Sequence, residues 1–199
     1  MVSNRPTPIE VRETFGRVHQ DATHAHVYFH TWWALFGVAM PEHRATMGNV
    51  AYVDFFQACK AGFLTLVFVS LGRLLDHDQR SLGLKRLHEV LVEHGYGKEG
   101  GQVDSLLSSN GDLIERIRGI RNKSAAHTDR EMTREDVYEK YGVTPNEIRD
   151  LVGAVVDVVN DVEQSLYSSG LLISSGERQE RATMSLLRCL KDAAWDDGV

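Results

Sequence analysis

At 199 residues the chain is long enough for one substantial hydrophobic core, and a second independent domain is not expected. The formal net charge of −6 argues against a general electrostatic nucleic-acid binder, which would carry a basic surplus, while leaving room for RNA at a local basic site. Cys59 and Cys189 lie far apart without metal-type spacing, as expected of reduced thiols in a cytoplasmic protein.

The opening stretch MVSNRPTPIE lacks the apolar run of a signal peptide, so none is expected. The first helix should open at Thr7, with Pro8 at its first position, and run to about Val38, with Pro41 closing the region. A second helix follows Gly48-Asn49 and continues to Asp76, with Phe55, Cys59, Phe63, Leu66 and Val69 at helical spacing. Its most apolar run, Ala61 to Gly72, falls short of the roughly twenty residues of a membrane crossing and reads as the buried part of a core helix. No membrane association is expected.

The cluster DHDQRS makes a turn. Ser81 is read as the N-cap of a third helix over 82–94, with Leu84, Leu87 and Leu91 as its apolar stripe. Gly95-Tyr96-Gly97-Lys98-Glu99-Gly100-Gly101 is expected to be a flexible loop. It lacks the GK[ST] ending and preceding strand of a phosphate loop. A short helix near 103–108 precedes Asn110-Gly111, and a fourth long helix carries Leu113, Ile117 and Ile120.

Beyond His127 the stretch TDREMTREDVYEKYG is strongly charged, with a short helix expected at 133–141. Thr144-Pro145-Asn146-Glu147 has the form of a capping box with proline at the first helical position. The valine-rich helix it opens runs to about Tyr167. A final amphipathic helix near 176–194 carries Met184, Leu187 and Leu190. No segment alternates as a strand would. The expectation is an all-α, antiparallel bundle of about four to six helices in a single domain over 1–199. Its core would span about 8–170, with the last helix as an appendage or dimer arm.

Near the end of the fourth long helix stands RNKSAAH, from Arg121 to His127. It places a permanent cation, an amide and an imidazole within one short run. Six positions on a straight helix amount to ~600°, so Arg121 and His127 point roughly 120° apart and are separated by ~9 Å along the axis. Lys123 and His127 share a face. For Arg121 and His127 to serve one phosphate, the helix must end or bend between them, or a second copy must face the first across a two-fold axis.

These residue types suit RNA cleavage without a metal. An imidazole accepts the 2′-OH proton or protonates the leaving 5′-oxygen, and a guanidinium holds the non-bridging oxygens as charge grows on them. Asn122 would orient phosphate or ribose. Lys123 would lower the pKa of His127, while Asp129 would oppose that and set its tautomer. Arg116 and Arg118 add cations for RNA. The bland explanation is that cations in the last turns of a helix meet the negative end of its dipole, worth ~0.3–1 kcal/mol each.

The run IRGIRNKSAAHTD resembles the signature of the HEPN superfamily: an arginine, a polar residue and, after a short spacer, a histidine. SLGRLLDHDQRSLGL, from Ser70 to Leu84, resembles the AbiU-like abortive-infection branch of that superfamily. The resemblance, over about residues 10–165, implies a helical bundle that often dimerises, with arginine and histidine lining a cleft at the interface. Many members are metal-independent endoribonucleases in toxin–antitoxin, phage-defence or RNA-processing systems; others only bind. By this resemblance Arg121 binds the phosphate and stabilises the transition state, Asn122 assists, and His127 is the acid or base. Some family toxins carry a tyrosine, shortly after the histidine, that a partner enzyme modifies; Asp129 stands there instead.

Other candidates have plainer explanations. Ser70, Arg73 and Asp76 are spaced as one polar stripe of the second helix, with Arg73–Asp76 read as an intrahelical ion pair worth ~0.2–0.5 kcal/mol. His24, His26 and His30 lie on the first helix, and no third ligand suggests itself to make a metal site. Trp32, Trp33 and Phe36 suit core or interface packing.

Together these features point to a cytoplasmic HEPN-like endoribonuclease, needing no cofactor or metal and acting on RNA as a homodimer, with a cognate antitoxin protein as a further partner. A non-catalytic HEPN-like module that binds RNA, a nucleotide or a protein is the alternative. A plain helical interaction protein, in which Arg121 and His127 merely finish a helix, is the third reading.

Overall fold

The computed structural model describes residues 7–76, 78, 81–126, 141–167, 170 and 172–193, with backbone alone at 122–126. Its elements are α1 (Ile9–Trp33), a π-helical turn (Ala34–Val38), α2 (Met40–Met47), α3 (Val53–Leu74), α4 (Leu84–Glu93), α5 (Gly97–Ser109), α6 (Gly111–Ala126), α7 (Pro145–Leu166) and α8 (Glu177–Asp192). The expected all-α fold is found: among the described residues there are helices and no strand. Two stretches read as irregular are helical, one adding a helix and the other lengthening one.

One is at Pro41, which opens α2 rather than merely closing the region before it. Between α1 and α2 the backbone widens into a π turn, closed by Ala39 N–H donating to the Ala34 carbonyl at 2.8 Å. The other is GKEGG, expected as a loop, which forms the start of α5. The actual turn is confined to Gly95, at φ +86°. Tyr96 N–H donates to Leu91 O at 2.8 Å and Gly95 N–H to Val92 O at 3.1 Å, the Schellman closure of α4. Gly100 is needed for close approach: a Cβ there would overlap Val92. Without it α5 can lie on α4, where His88 Nδ1 meets Gly100 O at 2.8 Å.

The expected N-cap at Ser81 is displaced. The cap of α4 is Gly83, with no side-chain hydrogen bond. A Cβ on Gly83 would overlap the Arg73 and Leu74 carbonyls. The Thr144 capping box forms as expected. Glu147 N–H donates to Thr144 Oγ1 at 3.3 Å, and Thr144 N–H donates to Glu147 Oε2 at 2.8 Å, an arrangement worth ~1 kcal/mol.

The chain divides into two compact units, Met1–His26 with Phe68–Ile173, and Val27–Val67 with Ser174–Val199. The first is cored by Val11, Phe15, Val18 and Ala22 of α1; Leu71 and Leu74 of α3; Leu84, Leu87 and Leu91 of α4; Ile114, Ile117 and Ile120 of α6; and Leu151, Val155 and Val159 of α7. Each such valine, leucine, isoleucine or phenylalanine side chain contributes ~1.5–3 kcal/mol by leaving water. The second unit is cored by Leu35, Ala39, Met47, Phe56 and Leu187. The last helix, expected as an appendage or dimer arm, is thus built into that core by Leu187. Trp33 stacks on Phe29 with ring centroids 5.9 Å apart, and Trp32 meets Phe36 at 6.3 Å, as packing aromatics do.

The expected α3 stripe is corrected. Phe56, Val67, Phe68, Leu71 and Leu74 are buried, while Phe55 is 60% and Leu66 40% exposed. The run 61–72 is apolar on every side, so periodicity there does not select a face. By length and composition α3 is apolar enough to cross a bilayer, and 33% of its apolar window is buried.

Candidate functional site

The site is built on α6, which its isoleucines orient. Ile114, Ile117 and Ile120 are buried at spacings of three, so the intervening arginines emerge on the remaining surface. Asn110 joins the two helices, its Nδ2 donating to Leu106 O at 2.9 Å to close α5 and its carbonyl accepting from Ile114 N–H at 2.9 Å to open α6.

Arg121 points at the end of α3. Its Nη1 donates to Gly72 O at 3.0 Å and to Asp76 Oδ2 at 3.3 Å. Gly72 makes this possible, because a Cβ there would overlap the Arg121 side chain. The carbonyl is one that the helix end leaves open, so a cation there also meets the negative end of the α3 dipole. Asp76 divides its oxygens. Oδ1 accepts from Asp78 N–H at 3.1 Å, and Oδ2 faces Arg121. The Asp78 N–H, ahead of the Arg121 guanidinium, holds the Asp76 carboxyl below its ordinary range. Arg121 Nε and Nη2 donate to none of the described residues.

Arg118 Nη1 donates to Glu115 Oε1 at 2.7 Å, one turn back on the same helix. Arg116 is more committed. Its Nε donates to Asp112 Oδ2 at 3.0 Å, Nη1 to Gly142 O at 3.0 Å and Nη2 to Glu147 Oε1 at 2.7 Å. It ties α6 to the capping box of α7. Glu147, held by Arg116 and then by Thr144, has its pKa lowered to about 2.

The expected Ser70–Arg73–Asp76 stripe is split. Ser70 is buried, Arg73 is exposed with Nη1 3.5 Å from Asp21 Oδ1, and Asp76 takes Arg121. The expected Arg73–Asp76 ion pair is therefore corrected, since each finds a partner on another helix. His26 of α1 is buried, 4% exposed.

The α6 backbone stays helical through Ala126, so no break falls at 122–126. The side chains of Asn122 and Lys123 and all of His127 and Asp129 lie outside the described residues, as does the helix expected at 133–141. The described residues resume at Tyr141, whose ring lies where a Cβ of Gly119 would be. Sequence reading missed this contact, the Arg116–Glu147 tie and the Gly72–Arg121 approach. The available signals were glycines inside otherwise good helices, Gly72 and Gly119, which usually have a packing reason.

Comparison with known proteins gives one finding: the family model described as AbiU2, HEPN_AbiU2, matches residues 9–183. No curated protein and no solved structure gives a match to the chain. The match takes in both the α3 end and the Arg121 motif, and on its span the chain belongs to the HEPN AbiU2 family.

Proposed function

We propose that this chain is a metal-independent endoribonuclease of the abortive-infection kind, acting in the cytoplasm as a homodimer. The observation that carries the reading is Arg121. It is anchored through one nitrogen on Gly72 O and Asp76, and its other donors are uncommitted toward the described residues. A guanidinium so oriented is prepared to take a phosphate.

The helical backbone between Arg121 and Ala126 leaves less room for the bend that would bring one chain's own pair together. That favours two copies sharing a cleft, each supplying Arg121 and His127. One His127 then accepts the 2′-OH proton as the oxygen attacks phosphorus. The other protonates the departing 5′-oxygen, and the products are a 2′,3′-cyclic phosphate and a 5′-hydroxyl. Asn122 and Lys123 assist on the phosphate, Arg118 adds local charge, and a cognate antitoxin protein restrains the activity. Purified chain should cut single-stranded RNA in chelator, and His127→Ala should abolish cutting with the fold intact. Cutting that survives His127→Ala, or that stops in chelator, overturns the reading.

The occupied Nη1 of Arg121 favours a second reading, a binding-only HEPN module. RNA retention that depends on Arg121, with no cleavage under any of these conditions, would select it.

A further inference from the structure

Away from α6, the α1 turns around Phe15 and the end of α7 border an open cavity of about 490 Å³ lined by Arg12, Phe15, Gly16, His19, Glu163 and Tyr167. The first four residues recur at helical spacing, so one face of α1 supplies them. Glu163 and Tyr167 stand four apart at the end of α7. Phe15 and Tyr167 make an aromatic wall, with ring centroids 6.0 Å apart, and His19 lies 5.9 Å from Phe15. Gly16 leaves the mouth open, since a Cβ there would meet nothing.

Glu163 supplies the anion of this cavity. It is 8% exposed, and its carboxylate makes no hydrogen bond or ion pair with the described residues. Its oxygens are not among the fully buried polar atoms, so the exposure it keeps lies at the carboxylate, beside the cavity it lines. The chain makes room for this carboxylate, as a Cβ on Gly170 would overlap it. Tyr167 reports the same surroundings. Burial first, and Glu163 second, push its phenol up, while Arg12 pulls it down. Both charges therefore bear on one spot.

A half-buried aromatic wall, an unpaired anion within and a cation at the mouth are what a zwitterion needs. The size falls in the range of small-molecule sites. An ammonium gains from the carboxylate and from the adjacent rings, and a carboxylate gains a two-point grip from an arginine.

We propose that this cavity binds a free α-amino acid, its ammonium on Glu163, its carboxylate on Arg12 and an apolar or aromatic side chain against Phe15 and Tyr167. The site is independent of the nuclease reading and stands or falls separately from it.

Calorimetric titration of the full chain with each standard amino acid tests this. One or more apolar or aromatic members should bind. N-acetylation of the best ligand, or Glu163→Gln, should weaken it about ten-fold or more, the range for removing one partner of a desolvated charge pair. Arg12→Ala should weaken the amino acid but leave its amide unaffected. Gly16→Leu, which fills the mouth from an exposed helical position, should abolish binding while keeping the helix, and serves if Glu163→Gln fails to fold. The proposal is overturned if no amino acid binds, if the N-acetyl form binds equally, or if Gly16→Leu binds as before.

Discussion

Arg121 and Gly72, far apart in sequence, are a fitted pair. The guanidinium reaches the Gly72 carbonyl at 3.0 Å only because Gly72 has no side chain for it to cross. Gly72→Ala therefore sets two effects against each other. Alanine in place of glycine favours the helix by roughly 0.5–1 kcal/mol, while hydrogen bonds to a charged group contribute ~1.5–3 kcal/mol when buried and less here, at 35% side-chain exposure. Thermal unfolding should show a net change within about 1 kcal/mol. RNA cleavage or binding should fall about ten-fold or more as Arg121 is pushed aside. An unaltered RNA response would detach Arg121 from the function.

Arg116 and Glu147 should show coupling without any RNA phenotype. The pair is 2.7 Å apart and a quarter to a third exposed, so solvent discounts it. A double-mutant cycle with Arg116→Ala and Glu147→Ala should give an interaction of about 1 kcal/mol. Arg116→Ala alone should leave RNA affinity within about two-fold. A loss comparable to that of Arg121→Ala would return Arg116 to the RNA surface.

Much of the architecture was legible because local chemistry and tertiary packing agree. Thr144-Pro145-Asn146-Glu147 is sufficient on its own for a capping box, and Ile117 and Ile120 suffice to orient α6. The reading failed where local signals were silent or reversed. Four glycines in GYGKEGG look like a loop, yet Gly100 serves a helix–helix contact that only the partner Val92 explains. The α3 run 61–72 is apolar on every side, so no periodicity tells exposed Leu66 from buried Val67. Of the site, Arg121 was visible as a motif residue, but its anchor on Asp76 depends on a contact 45 positions away. The Glu163 cavity had no signature at all, because one arginine, one histidine and one glutamate dispersed on two amphipathic helices look like ordinary surface.

Glu147 also predicts an acid limb in stability. Its pKa of about 2 lies below its ordinary 4.5, so the folded state favours the charged form. That stabilisation is complete above about pH 5 and is lost as pH falls from 4.5 toward 2. Melting temperatures of the parent and of Glu147→Gln should differ by a constant amount from pH 5 to 7 and converge near pH 2. A gap that persists unchanged at pH 2 would show that Glu147 acts without its charge.

Gly119 should tolerate nothing larger. A Cβ there would overlap the rigid Tyr141 ring, which cannot move aside as an aliphatic tail does. Gly119→Ala should cost about 1–3 kcal/mol despite the better helix former. Tyr141→Ala in the same chain should restore much of the loss, since the clash is gone. Additive losses in the double variant would mean that the two residues do not meet.

Arg118 and Arg121 separate general charge from a positioned guanidinium. Among the described residues Arg118 hydrogen-bonds to Glu115 on its own helix, whereas Arg121 is anchored across to α3. Arg118→Ala should weaken RNA binding modestly and reduce its salt dependence by about one phosphate contact. Arg121→Lys keeps the charge but loses the planar fork that holds Gly72 O and a phosphate at once. Cleavage should then fall about as far as in Arg121→Ala while the salt dependence of binding stays close to the parent's. If lysine restores cleavage at 121, the site asks only for positive charge, and the Gly72–Asp76 anchor is packing rather than positioning.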